Sequence, residues 1–186
     1  EFIGLIAFSA SGAIAAVRKK MDIYGVFLLA TVTAIGGGTI RDALLGRVPV
    51  AVLVNPWTLA APVLAVLGTF VIRRPVHYGV HMLLLMDAIG IGMFTISGVS
   101  VGLELGIPLH GCLLLGVITS TAGGITRDLL AGEIPLVLRK DIYASASLLG
   151  GLLYWLALVQ LHLNPTLAAL ICTALVIVIR ILSYRR

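Results

Sequence analysis

Seven apolar stretches, each near the length of a bilayer-crossing helix, divide almost the whole chain between them. They cover residues 2–17, 23–45, 57–72, 82–103, 109–130, 142–161 and 166–182. Breaker residues mark most gaps: Pro49, Asn55-Pro56, Pro75, Pro108, Pro135 and Asn164-Pro165. Pro62 alone falls inside a stretch, near its start, where a helix tolerates proline best. With 60% hydrophobic and 11% charged residues, the chain exceeds what one soluble core of 186 residues can hide. A soluble enzyme, a disulfide-stapled domain, a disordered chain and a large extramembrane domain are all excluded. The expected class is an all-α integral membrane protein forming one membrane domain over residues 1–186.

The net charge of +5 does not imply nucleic-acid binding, because the basic residues sit in short loops without interleaved aromatics. They fit topology signalling and contact with membrane lipids. Arg18, Lys19 and Lys20, then Arg73 and Arg74, then Arg139 and Lys140, then Arg185 and Arg186 follow the odd-numbered stretches. The alternate loops hold only Arg47 with His110 and His162. Seven spans with the N-terminus outside and the C-terminus cytoplasmic satisfy this bias. No signal peptide is recognisable, and Glu1-Phe2 reads as a trimmed or non-native start, which discounts Glu1. Cys112 and Cys172 read as small buried hydrophobes. His77 and His81 are four apart without a third ligand nearby, so no metal site is expected.

The chain also repeats itself. Gly37-Gly38-Thr39-Ile40-Arg41-Asp42, followed by Gly46 and Pro49, returns 86 residues later as Gly123-Gly124-Ile125-Thr126-Arg127-Asp128, followed by Gly132 and Pro135. The same offset carries Gly4 onto Gly90, Phe8 onto Phe94, Ser11-Gly12 onto Ser97-Gly98 and Thr33 onto Thr119. Such a match marks a duplicated unit. Each unit holds three spans, an odd number, so the second copy enters the membrane from the opposite side. The expectation is two inverted three-helix repeats, about 1–74 and 82–161, plus a seventh helix at about 166–184. Transporters and channels of this design place their site between the repeats, near the midplane.

The repeated motif carries the candidate chemistry. Gly36, Gly37 and Gly38, and Gly123 and Gly124 after Ala122, strip side chains from more than half a helical turn. Either they let helices cross closely, or they break a helix whose freed backbone faces a polar cavity. Arg41, Asp42, Arg127 and Asp128 lie one turn further on, and charge within a span points to function by default. Neighbouring positions on a helix point about 100° apart, so each of these charges is expected to seek its partner on another helix. Bracing the repeats and lining a pore are both open to them. Asp87, isolated among Leu and Met, either pairs with Arg41 or Arg127, the favoured reading, or attracts a cation. Thr31, Thr33, Thr39, Thr119, Ser120, Thr121 and Thr126 either bond their own helix or replace part of an ion's water. No P-loop, catalytic triad or paired carboxylates appear, so the chain does not read as an enzyme.

The doubled Gly-Gly-x-x-Arg-Asp-x-x-x-Gly-x-x-Pro pattern resembles prokaryotic members of the trimeric intracellular cation channel family. That broad group also holds small bacterial inner-membrane proteins described as glycine transporters. The resemblance implies a homotrimer in the prokaryotic plasma membrane. Each subunit would have its own pore for monovalent cations, chiefly potassium, lined by glycine-interrupted second and fifth spans. Gly36, Gly37, Gly38, Gly123 and Gly124 match the interruptions, Ala122 departs from a full triple glycine, and Arg41 and Arg127 match the motif arginines. Together with Thr39, Asp42, Asp87, Thr119, Ser120, Thr126 and Asp128 they form the candidate ion pathway. No cofactor is expected beyond permeant potassium or sodium. The alternatives are a secondary transporter for a small zwitterion such as glycine and a structural membrane protein.

Overall fold

The structure is a computed structural model that describes residues 1–71, 79–139 and 142–184. Arg73, Arg74, Pro75, His77, Lys140, Arg185 and Arg186, which enter the charge and breaker patterns, lie outside the described residues. Among those described, every regular element is helical: α1 (Phe2–Arg18), α2 (Ile23–Leu44), α3 (Ala51–Val54), α4 (Trp57–Val71), α5 (Gly79–Glu104), α6 (Leu109–Leu130), α7 (Leu136–Arg139), α8 (Ala144–Val159) and α9 (Pro165–Tyr184). The seven longer helices coincide with the seven apolar stretches. By length and composition α2, α5, α6 and α9 can cross a membrane, and α1, α4 and α8 are shorter apolar helices.

The polarity runs opposite to that of a soluble domain. Leu59, Leu64, Leu114, Leu148, Leu170, Ile171 and Val178 face outward, while Ser11, Thr33, Thr95, Ser97, Thr119 and Ser120 are buried. This arrangement suits a hydrocarbon surrounding, where polar groups must find partners inside the protein.

The conserved spacing inside the two motif copies has a backbone explanation. α2 ends in a turn where the amides of Gly46 and Arg47 donate back to the carbonyls of Ala43 and Asp42. α6 ends identically, with Gly132 and Glu133 donating to Leu129 and Asp128. Gly46 and Gly132 take φ of +64° and +69°, the left-handed conformation that this helix stop demands and that glycine adopts without strain. The chain then turns into the four-residue helices α3 and α7. Sequence periodicity cannot reveal elements that short.

α2 and α6 cross with their backbones in contact. A Cβ on Gly37 would lie 1.9 Å from the Thr119 carbonyl oxygen, and one on Gly123 would lie 2.2 Å from that of Thr33. Contacts step in opposite directions along the two helices, so they run antiparallel. α1 crosses α5 in the same sense, with Gly4 against Phe94 and Gly90 against Phe8, and the Phe8 and Phe94 rings stack 5.2 Å apart. The glycines of α1 and α5 therefore pack within one chain. At one end of the bundle Lys19 Nζ meets Glu133 Oε1 at 2.8 Å, joining the α1–α2 turn to the α6–α7 turn.

The glycines are not equivalent. Gly37→Ala and Gly123→Ala are expected to lower the melting temperature of the detergent-purified protein clearly. Gly38→Ala, whose Cβ would meet nothing nearer than Arg41 Nη2 at 3.9 Å, should be tolerated. Equal melting of all three variants would refute the close-crossing explanation.

Candidate functional site

The glycine segments are continuous helix: α2 runs unbroken through Gly36, Gly37 and Gly38, and α6 through Gly123 and Gly124. The expectation of interrupted helices is corrected here. Small residues allow backbone contact between the helices, and that contact leaves each helix's own hydrogen bonds intact. The hydroxyls follow suit. Thr33, Thr119, Thr121 and Thr126 each donate to the carbonyl four residues back, at 2.5–2.8 Å. Thr31 bonds Phe27 in the same way. Ser120 belongs to a chain across helices, Thr95–Ser147–Ser120, with oxygens 2.7 and 2.8 Å apart. Thr39 Oγ1 is buried without a partner among the described residues.

The neighbours Arg41 and Asp42 do pair, contrary to expectation. Arg41 Nε and Nη2 both reach Asp42 Oδ1, at 2.9 and 2.8 Å. Arg127 Nε reaches Asp128 Oδ1 at 2.9 Å. The arginine side chain is long enough to bend round the helix. Both guanidiniums are buried, and there the nearest carboxylate captures them. The second carboxylate oxygen does structural work: Asp42 Oδ2 accepts from the Ala51 amide at 3.1 Å, and Asp128 Oδ2 from the Leu136 amide at 2.8 Å. Each motif aspartate thus fastens the start of the short helix that follows it.

The expected partners on other helices are present as well. Arg41 Nη1 donates to Ser97 on α5 at 3.2 Å, and Arg127 Nη1 donates to Ser11 on α1. Ser11 and Ser97 stand at the same place in the two sequence copies. Ser97 donates in turn to Glu1, so the discounted Glu1 takes the position that Asp87 holds in the second copy. Asp87 does pair with Arg127, Oδ1 lying 2.7 Å from Nη1. It also accepts from the Tyr143 hydroxyl at 3.3 Å and faces Arg180 Nη2 at 3.4 Å. Arg127 and Asp87 have no exposure, and Arg180 has 1%.

Ser11, Ser97, Tyr143, Ser147 and Arg180 were missed as site residues. Arg180 had a legible signal, since it stands alone among Ile, Val and Leu in the last span, as Asp87 does in the fourth. The serines carried only their repeat identity, and Tyr143 carried none.

Two cavities touch motif residues, one beside the C-terminal end of α1 and the other beside its N-terminal end. One of about 580 Å³ is lined by Arg18, Lys19, Leu83, Leu84, Asp128, Glu133 and Arg139. The other, of about 60 Å³, is lined by Glu1, Gly38, Thr39, Arg41, Asp42 and Thr58. Among the described residues no cluster of three or more metal-ligating side chains occurs. Cys112 and Cys172 are buried thiols, and His81 is exposed.

A family model described as "Glycine transporter" matches residues 1–74 and 84–159. The inner membrane protein YadS of Escherichia coli is 36% identical over all of this chain and 90% of its own length. A Vibrio cholerae membrane protein of the same group is 40% identical over 89% of this chain and 70% of its own. Among solved structures, the TRIC trimeric intracellular cation channel orthologue from Rhodobacter sphaeroides is 39% identical with a TM-score of 0.87, covering 96% of this chain and 92% of that one. A prokaryotic TRIC channel crystallised in 0.5 M KCl is 33% identical with a TM-score of 0.90, covering 99% and 93%. The chain belongs to the trimeric intracellular cation channel family. It is a multi-pass bacterial inner-membrane protein of the TRIC fold, within the grouping that also bears the glycine-transporter description. These solved neighbours are described as channels, not enzymes.

The two kinds of ion pair should respond differently to removal. Asp87→Asn leaves two buried guanidiniums short of a carboxylate and should cost on the order of 3 kcal/mol, read as a large fall in melting temperature. Glu133→Gln removes an exposed pair and should cost at most about 1 kcal/mol. The Lys19 ammonium, hydrogen-bonded to Glu133, holds that carboxyl below its usual range. The pair's small contribution is therefore complete above the ordinary glutamate pKa and is lost as pH falls through the lowered value. Wild type and Glu133→Gln should converge in melting temperature under acid. A difference that persisted there would count against this assignment.

Proposed function

We propose that the protein is a channel for monovalent cations, chiefly potassium, with a pore in each subunit of a homotrimer and no enzymatic activity. The observation that carries this reading is the pair of cavities at opposite ends of α1, one touching Asp128 and the other Arg41 and Asp42. The likeness to solved proteins described as cation channels, at 33–39% identity, supports it. We read the seven longer helices as seven spans, with α1, α2 and α4 inverted relative to α5, α6 and α8, and α9 as the added helix. The antiparallel crossings of α1 with α5 and of α2 with α6 favour inversion, and the Lys19–Glu133 pair favours placing both turns on one side. By the basic-loop bias that side is cytoplasmic and the N-terminus is outside.

In this reading the backbone contact at Gly37 and Gly123 belongs to a closed conformation. Permeant ions pass beside the crossing, coordinated weakly by carbonyl and hydroxyl oxygens. An arginine in a cation path repels its own substrate unless a carboxylate neutralises it. Asp42, Asp87 and Asp128 supply that neutralisation, so Arg41 and Arg127 can brace or gate the path.

The family model's glycine-transporter description raises the one competing reading, a transporter in which the Arg–Asp motif holds a zwitterion. Planar-bilayer recording of the purified trimer under a potassium chloride gradient separates the two. Unitary steps reversing near the potassium potential are expected. Saturable glycine uptake without such steps would replace the channel with the transporter. Arg127→Lys, which keeps the buried charge and loses the guanidinium fork, should alter conductance or open probability while the trimer stays assembled, and unchanged single-channel behaviour would remove Arg127 from the mechanism.

A further inference from the structure

The two motif arginines are held alike in most respects, and one difference stands out. Arg41 rests on Asp42 and Ser97, beside a crevice of about 60 Å³ that also touches Glu1 and Thr39. Arg127 rests on Asp128, Ser11 and Asp87, and a further side chain from α9 meets its partner Asp87. Arg180 Nη1 donates to the Ile142 carbonyl at 2.7 Å, Nη2 faces Asp87 Oδ2 at 3.4 Å, and the guanidinium stacks 4.1 Å from the centre of the Tyr143 ring. The Tyr143 hydroxyl donates to Asp87. α9 lies outside the repeated units, and among the described residues no second guanidinium pairs with the carboxylate beside Arg41.

We propose that Arg180 is a positioning residue for Arg127, and that it keeps the second half of the pathway sealed; this rests on the channel reading above. Arg180 does so in two ways. Its charge balances the site: Asp87 and Asp128 face Arg127 and Arg180, leaving no net attraction for a permeant cation. Its plane presses Tyr143 over Asp87, so both carboxylate oxygens are occupied, Oδ1 by Arg127 and Tyr143 and Oδ2 by Arg180. With Arg180 withdrawn, Asp87 Oδ2 is freed, the site carries one net negative charge, and Tyr143 loses the group that stacks on it. A cation then competes with Arg127 for Asp87. Among the described residues the first half has no such closure, so α9 makes the two halves of the pathway unequal.

The test compares Arg180→Gln and Arg180→Lys with wild type, as assembled trimers, by single-channel recording in potassium chloride and by hydrogen exchange. Arg180→Gln is expected to raise open probability roughly tenfold, the loss of about one charge-assisted hydrogen bond. Arg180→Lys, which keeps the charge and loses the fork and the stack, should lie between. Exchange should quicken over residues 120–128 and stay unchanged over 34–42, a localisation that general destabilisation would not produce. Unchanged or lowered open probability in Arg180→Gln overturns the proposal, as does exchange unchanged at 120–128 or raised equally in both segments. If neither wild type nor variant conducts while exchange quickens at 120–128 alone, the channel reading fails and the seal stands. Should Arg180→Gln not assemble, Tyr143→Phe keeps the ring and removes its bond to Asp87. A smaller rise in open probability is expected there, and no rise overturns the proposal.

Discussion

The contact between Arg127 and Asp87 is the interaction on which the rest of the bundle depends. Neither side chain has any exposure, and neither is tolerable there alone. Meeting that requirement draws four helices together: α6 brings the guanidinium, α5 the carboxylate, α1 the Ser11 hydroxyl and α9 a second guanidinium. Tyr143, just before α8, completes the enclosure. The membrane supplies little hydrophobic drive for helices to associate with one another, so a buried polar node of this kind does much to specify which helices meet.

The glycine crossing sets where that node can form. Backbone contact at Gly37 and Gly123 places the two helices at a fixed depth relative to each other, and each motif arginine follows one turn later. Because the helices run antiparallel, that turn carries the two arginines away from the crossing in opposite directions. The aspartates then bind the ensuing short helices through their second oxygens. Glycine, arginine, aspartate and the left-handed glycine therefore form one continuous construction. Each residue type does a different job within about ten positions.

Most of the architecture was legible in the sequence because hydropathy and duplication are both long-range signals. The seven apolar stretches became the seven longer helices, and the 86-residue offset anticipated reciprocal contacts such as Gly37 on Thr119 and Gly123 on Thr33. Local geometry was less legible. That Arg41 would fold back onto Asp42 depends on side-chain length and burial, which helical angle alone does not capture. That the glycines sit in unbroken helix depends on what lies opposite them. α3 and α7 are too short to have a period, and α8 starts only at Ala144 because Ile142 and Tyr143 form a bend held by Arg180. Glu1 was discounted for its place at the chain start, although its register matched Asp87.

The Phe8–Phe94 stack has a consequence for how such a chain can diverge. These residues occupy the same position in the two copies and touch each other, so one surface meets its own duplicate. In an ancestor assembled from two identical halves, a single mutation there would have altered both rings at once. After fusion the two positions became free to change separately, yet they still share one volume. A larger residue on one side must be answered by a smaller one on the other. Positions of this kind are where a fused protein can first abandon its symmetry, exchanging a matched pair for a complementary one, with Gly4 and Gly90 opposite the rings setting the room available.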